Sequence, residues 1–288
     1  MKIGIGLPAS IPGIKGELLL DWARQADSGP FSSLGVIDRI VYPNYEPLIA
    51  LAAVAGVTQR IRLVTNVLIA PLRSAALLAK QAASIDAFSG GRLTLGLGIG
   101  AREDDFEASE ADIHKRGKRF DQQLETMARI WSGGRFSETA GPIGPASVQP
   151  GGPEVLIGAY SEAGIKRVGR WNHGYIAGGR APQQVPEFFR MAQQAWEEAG
   201  RPGKPRLVAC SYYGMGPNAS ARIAETIGHY YSFLGPGAQQ MANRIPSTAE
   251  AVRDTIQAFA ATGADELILW PAIPELDQIK RLEEIIQS

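Results

Sequence analysis

Two charged residues, Asp38 and Arg39, stand where the apolar run from Leu34 runs out. A carboxylate at the end of a buried strand can hydrogen-bond a ligand ring or orient the adjacent guanidinium. It can equally form a salt bridge with Arg39 or with a neighbouring loop. The stretch Gly158-Ala159-Tyr160-Ser161-Glu162-Ala163-Gly164 joins an apolar run to a helix-patterned one and is read as a cofactor-binding segment. Ser161 suits a helix N-cap and Glu162 the first turn. Free N–H groups and the helix dipole there attract a phosphate, although a plain cap that binds nothing uses the same residues. Gly98 and Gly100 close another apolar run. Backbone without a Cβ lets a flat ring approach, and it also serves ordinary loops. His229, next to Tyr230 and Tyr231, is a candidate proton donor above such a ring, or a surface-helix histidine.

Other chemistries fit poorly. The run Gly96 to Gly100 reads GLGIG, but Glu103 stands where a dinucleotide fingerprint needs its third glycine. The acidic stretch with Glu103, Asp104, Asp105, Glu107, Glu110 and Asp112 lacks the spacing of a calcium loop and is expected to be solvated. His114, His173 and His229 are scattered, with no HExxH pair, so no metal site is expected. No GxSxG elbow occurs, and the single cysteine, Cys210, falls inside a predicted strand as a packing residue.

These residues need elements to position them. Short β-rich runs alternate with helix-patterned segments, which marks βα units and a parallel sheet. Strands are predicted at 3–7, 34–38, 61–69, 92–99, 154–157, 174–177, 206–213 and 266–270, each followed by a helix. Residues 101–115 are expected to form a surface loop, and 217–247 a helical insertion. Eight such units predict one α/β domain over residues 1–288, a (β/α)8 TIM barrel, with an open doubly wound sheet as the alternative. In a barrel the active site lies at the C-terminal strand ends. Those ends collect Asp38-Arg39, Thr65-Asn66-Val67, Gly98-Ile99-Gly100, Gly158 to Ser161, Tyr212-Tyr213 and Trp270. With Tyr230, Tyr231 and Phe233 they suggest a pocket lined by aromatic groups.

The 288 residues carry 29 Lys plus Arg against 29 Asp plus Glu, so nothing recommends a nucleic-acid or anionic-membrane partner. No stretch has the apolar length of a signal peptide or a membrane span, and a cytoplasmic protein with a small-molecule substrate is expected. The Ala/Leu-rich second and third helices predict a homodimer.

The stretch from Ile61 to Trp131, with IRLVTNVLIAPLR, LLAKQAASIDAFSGGRLTLGLGIG and KRGKRFDQQLETMARIW, resembles the luciferase-like monooxygenase superfamily. The segment EVLIGAYSEAGIKRVGRWNHGYIAGG is similar to that family's phosphate-binding unit. The resemblance implies FMN, or alternatively coenzyme F420, as the cofactor. It places Asp38, Thr65, Asn66, Gly98 and Gly100 along the ring and Tyr160, Ser161, Ala163 and Gly164 at the phosphate. It also implies a cis peptide at Asn66-Val67. Two departures are visible. Arg39 replaces a family histidine that donates protons in deazaflavin-dependent dehydrogenases, and Ala101 replaces a glutamate. Arginine stays charged, so Arg39 would act on an anion instead, either a reduced flavin or a substrate carboxylate. Three readings follow. One is a monooxygenase using oxygen and reduced FMN, the flavin being reduced by NAD(P)H or a partner flavin reductase. The second is an F420-dependent hydride-transfer enzyme, with Lys166, Arg167 and Arg180 along the cofactor tail. The third is a non-catalytic flavin-binding protein.

Overall fold

Every strand pairs in parallel with the next in sequence, and the eighth returns to the first, so the sheet closes into a ring. The protein is described by a computed structural model covering residues 1–171 and 173–288. The strands are β1 (Lys2–Gly6), β2 (Ser33–Val36), β3 (Arg62–Ile69), β4 (Leu93–Gly98), β5 (Glu154–Gly158), β6 (Gly174–Ala177), β7 (Arg206–Tyr213) and β8 (Glu266–Pro271). The helices on the first half are α1 (Gly16–Ser28), α2 (Pro47–Ala55), α3 (Ala75–Phe88), α4 (Glu103–Ala108) and α5 (Arg116–Trp131). On the second half they are α6 (Glu162–Ile165), α7 (Arg167–Trp171), α8 (Val185–Glu198), α9 (Ala219–Tyr230), α10 (Pro236–Ala242), α11 (Ala249–Ala260) and α12 (Asp277–Gln287).

Strands β2, β4, β6 and β8 are buried along their whole length, as a sheet covered on both faces requires. Alternate side chains part company. Val64, Leu156, Ile176, Val208, Ile268 and Trp270 fill the barrel interior. Ile5, Leu34, Leu63, Leu95 and Leu267 pack outward against the helices. The interior matches small against large: a Cβ on Gly6 would lie 2.2 Å from the Trp270 ring, and one on Gly35 would lie 2.9 Å from it. Those two glycines therefore make the space the indole fills.

The N-terminal end of the barrel is closed by charge. Arg206 bridges Glu154 and Glu266, and Glu266 also accepts hydrogen bonds from Ser32 at 2.5 Å and Ser33 at 2.7 Å. His173 sits beside this plug, away from the opposite rim.

Two expectations are corrected. Residues 101–115 are not a plain solvated loop. They contain α4 and a 3-10 turn (Ile113–Lys115), because Phe106 is buried against Ile69 and Leu72. Asp105 is fully buried and accepts from the N–H groups of Ile40 and Val41 at 2.9 and 2.8 Å. The helix after β5 is not continuous either: it is split at Lys166 into the short pieces α6 and α7. The insertion forms as expected, with α9 and α10 preceding α11. Among the described residues no helix is long and apolar enough to cross a membrane.

Candidate functional site

A cavity of about 1130 Å³ opens at the C-terminal rim of the barrel. The strand ends converge there because a parallel barrel points every C-terminus the same way. Its floor is Trp270, Ile176, Cys210 and Asn66, its wall carries Gly98, Gly158 and Tyr212, and the insertion supplies Tyr230, Tyr231 and Phe233 as a cover.

At Asn66-Val67 the peptide bond is cis, and the pairing of β3 with β4 slips between Thr65 and Leu68. Asn66 is 7 % exposed. Its Oδ1 lies 4.0 Å from the Cys210 thiol, while its Nδ2 has no partner among the described residues. A buried amide donor without an acceptor is costly unless a ligand supplies one. Val67 explains the rim glycines. A Cβ on Gly98 would approach Val67 to 2.8 Å, and one on Gly158 to 2.6 Å. They are small to seat the valine beside the cavity, a reason the sequence did not reveal. Gly100 adopts φ +70°, a left-handed backbone that glycine accepts without strain.

Asp38 lines the cavity, but its carboxylate is already engaged. Arg73 grips both oxygens, at 2.6 and 3.0 Å, and the N–H of Ile69 donates to it at 2.8 Å. Of the partners open to Asp38, the structure takes a neighbouring loop, through Arg73, and not Arg39. Burial pushes the Asp38 carboxyl above its ordinary pKa, and Arg73 only partly offsets that. Arg39 instead turns into the cavity with a side chain 9 % exposed. It donates to the Tyr230 carbonyl at 3.1 Å and lies 4.7 Å from the Tyr42 ring centre.

On the β5 side the Ser161 hydroxyl accepts from the Gly164 N–H at 3.2 Å, so the predicted N-cap exists. Because α6 is a single turn, its dipole is weak. Two cations stand near this turn. Arg116 and Arg167 both line this end of the cavity. Arg167 is neutralised by Asp121 at 2.7 and 2.9 Å, whereas the buried Nε of Arg116 has no partner. Gly158, Ala159, Tyr160 and Gly164 line the cavity with Ser161. The Tyr160 hydroxyl donates to the Gly178 carbonyl at 2.6 Å, and the Arg180 guanidinium lies 4.4 Å from its ring centre.

Several predicted residues lie elsewhere. Thr65 is buried, and its hydroxyl donates to the Gly96 carbonyl at 2.8 Å rather than reaching the cavity. Ala163 is exposed on the outside of α6. His229 is exposed on α9 and bonded to the Tyr42 hydroxyl at 2.5 Å, outside the cavity lining, because the buried face of that helix carries Tyr230 instead. Tyr213 points into the helix layer, where its hydroxyl donates to the Gln278 carbonyl. Lys166 pairs with Glu162 in solvent, and Arg180 stacks on Tyr160; neither lines the cavity. Cys210 is buried as expected, yet it also forms part of the cavity floor, with its thiol pKa raised by burial.

Arg102 and Arg116 escaped sequence reasoning. Arg102 lies two residues beyond Gly100, so following the strand end a little further would have reached it. Arg116 lies in a polar stretch with no local signal.

The arrangement suits a flat ring with an anionic tail: an unpartnered amide on the floor, a wall narrowed by Val67, aromatic cover, and in the lining Arg116, which among the described residues has no carboxylate partner. Residues 1–268 match the family described as luciferase-like monooxygenase. The uncharacterised protein Rv0940c of Mycobacterium tuberculosis is 30% identical over 232 residues, covering 70% of this chain and 80% of that protein. In fold the chain is similar to monooxygenase RslO1 from Streptomyces bottropensis, with TM-score 0.81 and 21% identity over 99% of this chain and 97% of that one. It is also similar to an F420-dependent secondary alcohol dehydrogenase in complex with an F420-acetone adduct, with TM-score 0.79 and 18% identity over 100% and 99% of the two chains. The chain belongs to the luciferase-like monooxygenase family of oxidoreductases.

Proposed function

We propose that the rim cavity binds reduced FMN and that the protein is a monooxygenase acting on a small organic substrate. The observation that carries this reading is the unpartnered Nδ2 of Asn66 on the cavity floor, an amide donor that a ring heteroatom would satisfy. Ser161 and Arg116 would hold the phosphate, and Tyr212, Tyr231 and Trp270 would face the ring or the substrate. The redox chemistry, two electrons delivered for oxygen activation, belongs to the cofactor when bound. The protein's part is to orient the reactants and exclude water beneath the α9–α10 cover.

Direct hydride transfer to a carbonyl needs a proton donor at the ring. Among the described residues no histidine lines the cavity. Burial raises the pKa of the Tyr212, Tyr230 and Tyr231 phenols and of the Cys210 thiol, so all stay protonated at neutral pH. The lack of a histidine in the cavity lining, with Arg39 at the end of β2, favours the oxygen-using reaction. The F420-dependent alternative is supported by Arg116 and Arg167 standing together at the tail end. The two electrons that reduce the flavin would come from NAD(P)H or a partner reductase, and α2 and α3 would pair two copies of the chain.

Side-by-side fluorescence titration with FMN and F420 tests the proposal. FMN is expected to bind the wild type and to weaken about tenfold in Ser161→Ala/Arg116→Gln, a loss in line with a charge-assisted hydrogen bond. Riboflavin, lacking phosphate, should be indifferent to those changes. Binding of F420 alone would replace the first reading with the second, and binding of neither would remove both.

A further inference from the structure

We infer that Arg39, assisted by Arg102, is a specificity-determining anion site for the substrate, and that the substrate is a small carboxylic acid with an apolar or aromatic body. The inference rests on the oxidoreductase reading for the identity of the cavity as a substrate pocket.

Arg39 follows β2 and Arg102 follows β4, so two loops deliver their guanidinium groups to one place. Both lie over the same rings. Arg39 is 5.8 Å from the Tyr230 centre and 5.9 Å from Phe233, and Arg102 is 5.4 and 4.4 Å from them. Two like charges in so small a volume call for negative charge between or beside them. The protein supplies little. Asp104 reaches Arg39 only at 3.4 Å, with a side chain 44 % exposed, and one of its oxygens already accepts from the Asp105 N–H. Asp38 is held by Arg73, and Asp105 is turned to the N–H groups of Ile40 and Val41. Among the described residues Arg102 pairs with no carboxylate, and the buried Nε atoms of both arginines lack partners.

On Arg39 one Nη1 hydrogen goes to the Tyr230 carbonyl and one Nη2 hydrogen to Asp104, which leaves the Nε–H and the second hydrogen of each Nη for the parallel pair of donors that a carboxylate accepts. The rings around it pack edge to face, with Tyr230 and Tyr231 centres 4.8 Å apart, and they leave an aromatic surface on which an apolar body can lie. The phosphate end of the same cavity is built from other elements, the turn after β5 with Ser161 and the start of α5 with Arg116.

The test uses benzoate and phenylacetate as probes against their neutral amides, on cofactor-free protein by calorimetry and saturation-transfer NMR. FMN and F420 affinities are measured in parallel. Carboxylates should bind at least about tenfold tighter than the amides, and Arg39→Gln should erase that preference while leaving amide affinity unchanged. Arg116→Gln should spare the carboxylates and weaken the cofactor. Circular-dichroism melting checks each variant, and Arg102→Gln, expected to reduce the same preference, serves if Arg39→Gln does not fold. The inference is overturned if amides bind as well as carboxylates or if no carboxylate binds at millimolar concentration. It is equally overturned if Arg39→Gln weakens the cofactor and spares the probes, since the anion would then be the cofactor's own. Failure of the wild type to bind either cofactor would remove the proposed function and leave the probe comparison readable.

Discussion

Removing Arg73 should cost more than removing its partner Asp38, and the difference follows from what each leaves behind. In Arg73→Met the Asp38 carboxylate, with a side chain 1 % exposed, keeps only the Ile69 N–H. An uncompensated buried charge of this kind costs about 3–5 kcal/mol. In Asp38→Asn, Arg73 retains Glu46 at 3.0 Å, and the amide oxygen can still accept from Ile69. The expected loss there is about 1–3 kcal/mol, that of a weakened charged hydrogen bond. The pH dependence has a definite sign. Burial already raises the Asp38 pKa, and loss of Arg73 raises it further. A carboxyl with a raised folded-state pKa takes up its proton in the folded state first. The Arg73→Met deficit should therefore be full above the folded pKa and shrink as pH falls toward the unfolded value of about 3.9. Urea unfolding followed by tryptophan fluorescence at about pH 8 and about pH 5 reads both quantities. Arg73→Met/Asp38→Asn should resemble Asp38→Asn more than Arg73→Met. Equal losses for the two single variants, or an Arg73→Met deficit that ignores pH, would refute the argument that Asp38 is a structural carboxylate held by Arg73.

Gly158→Ala should destabilise the rim by about 1–3 kcal/mol through the 2.6 Å approach to Val67, and Val67→Ala should restore most of it; thermal melting without such rescue would place the clash elsewhere. The Asp27 carboxyl is half-buried, which raises its pKa, but the Ile61, Gln59 and Arg60 N–H groups outweigh this and hold it below the ordinary value. Its stabilising effect is present above the unfolded pKa and fades as pH falls through the folded one. Asp27→Asn should accordingly lose stability at neutral pH and show a shallower decline below about pH 4, read from acid unfolding curves. Ile49, Leu77 and Phe88 are exposed on or at the ends of α2 and α3. Sedimentation should give twice the chain mass, and Ile49→Asp/Leu77→Asp should shift it toward the monomer. A wild-type monomer at micromolar concentration would remove the proposed dimer.

The ring of eight strands was legible because burial on two faces demands apolar runs, and runs separated by helical periodicity leave few topologies. The Asn66-Val67 site was legible through resemblance, and the Ser161 cap through local chemistry. Which partner a charged group takes was not. Asp38 and Arg39 are neighbours in sequence, yet Arg73 and Tyr230, distant along the chain, decide what each does. Likewise α9 carries His229 and Tyr230 side by side, and only packing against the barrel turns the tyrosine inward. Sequence alone determined the barrel, its C-terminal rim and the chemistry available there, because hydrophobic periodicity and turn residues act locally. Tertiary structure decided which charges are neutralised and which are left facing the cavity. Ion pairing and burial depend on distances between segments that chain order does not encode.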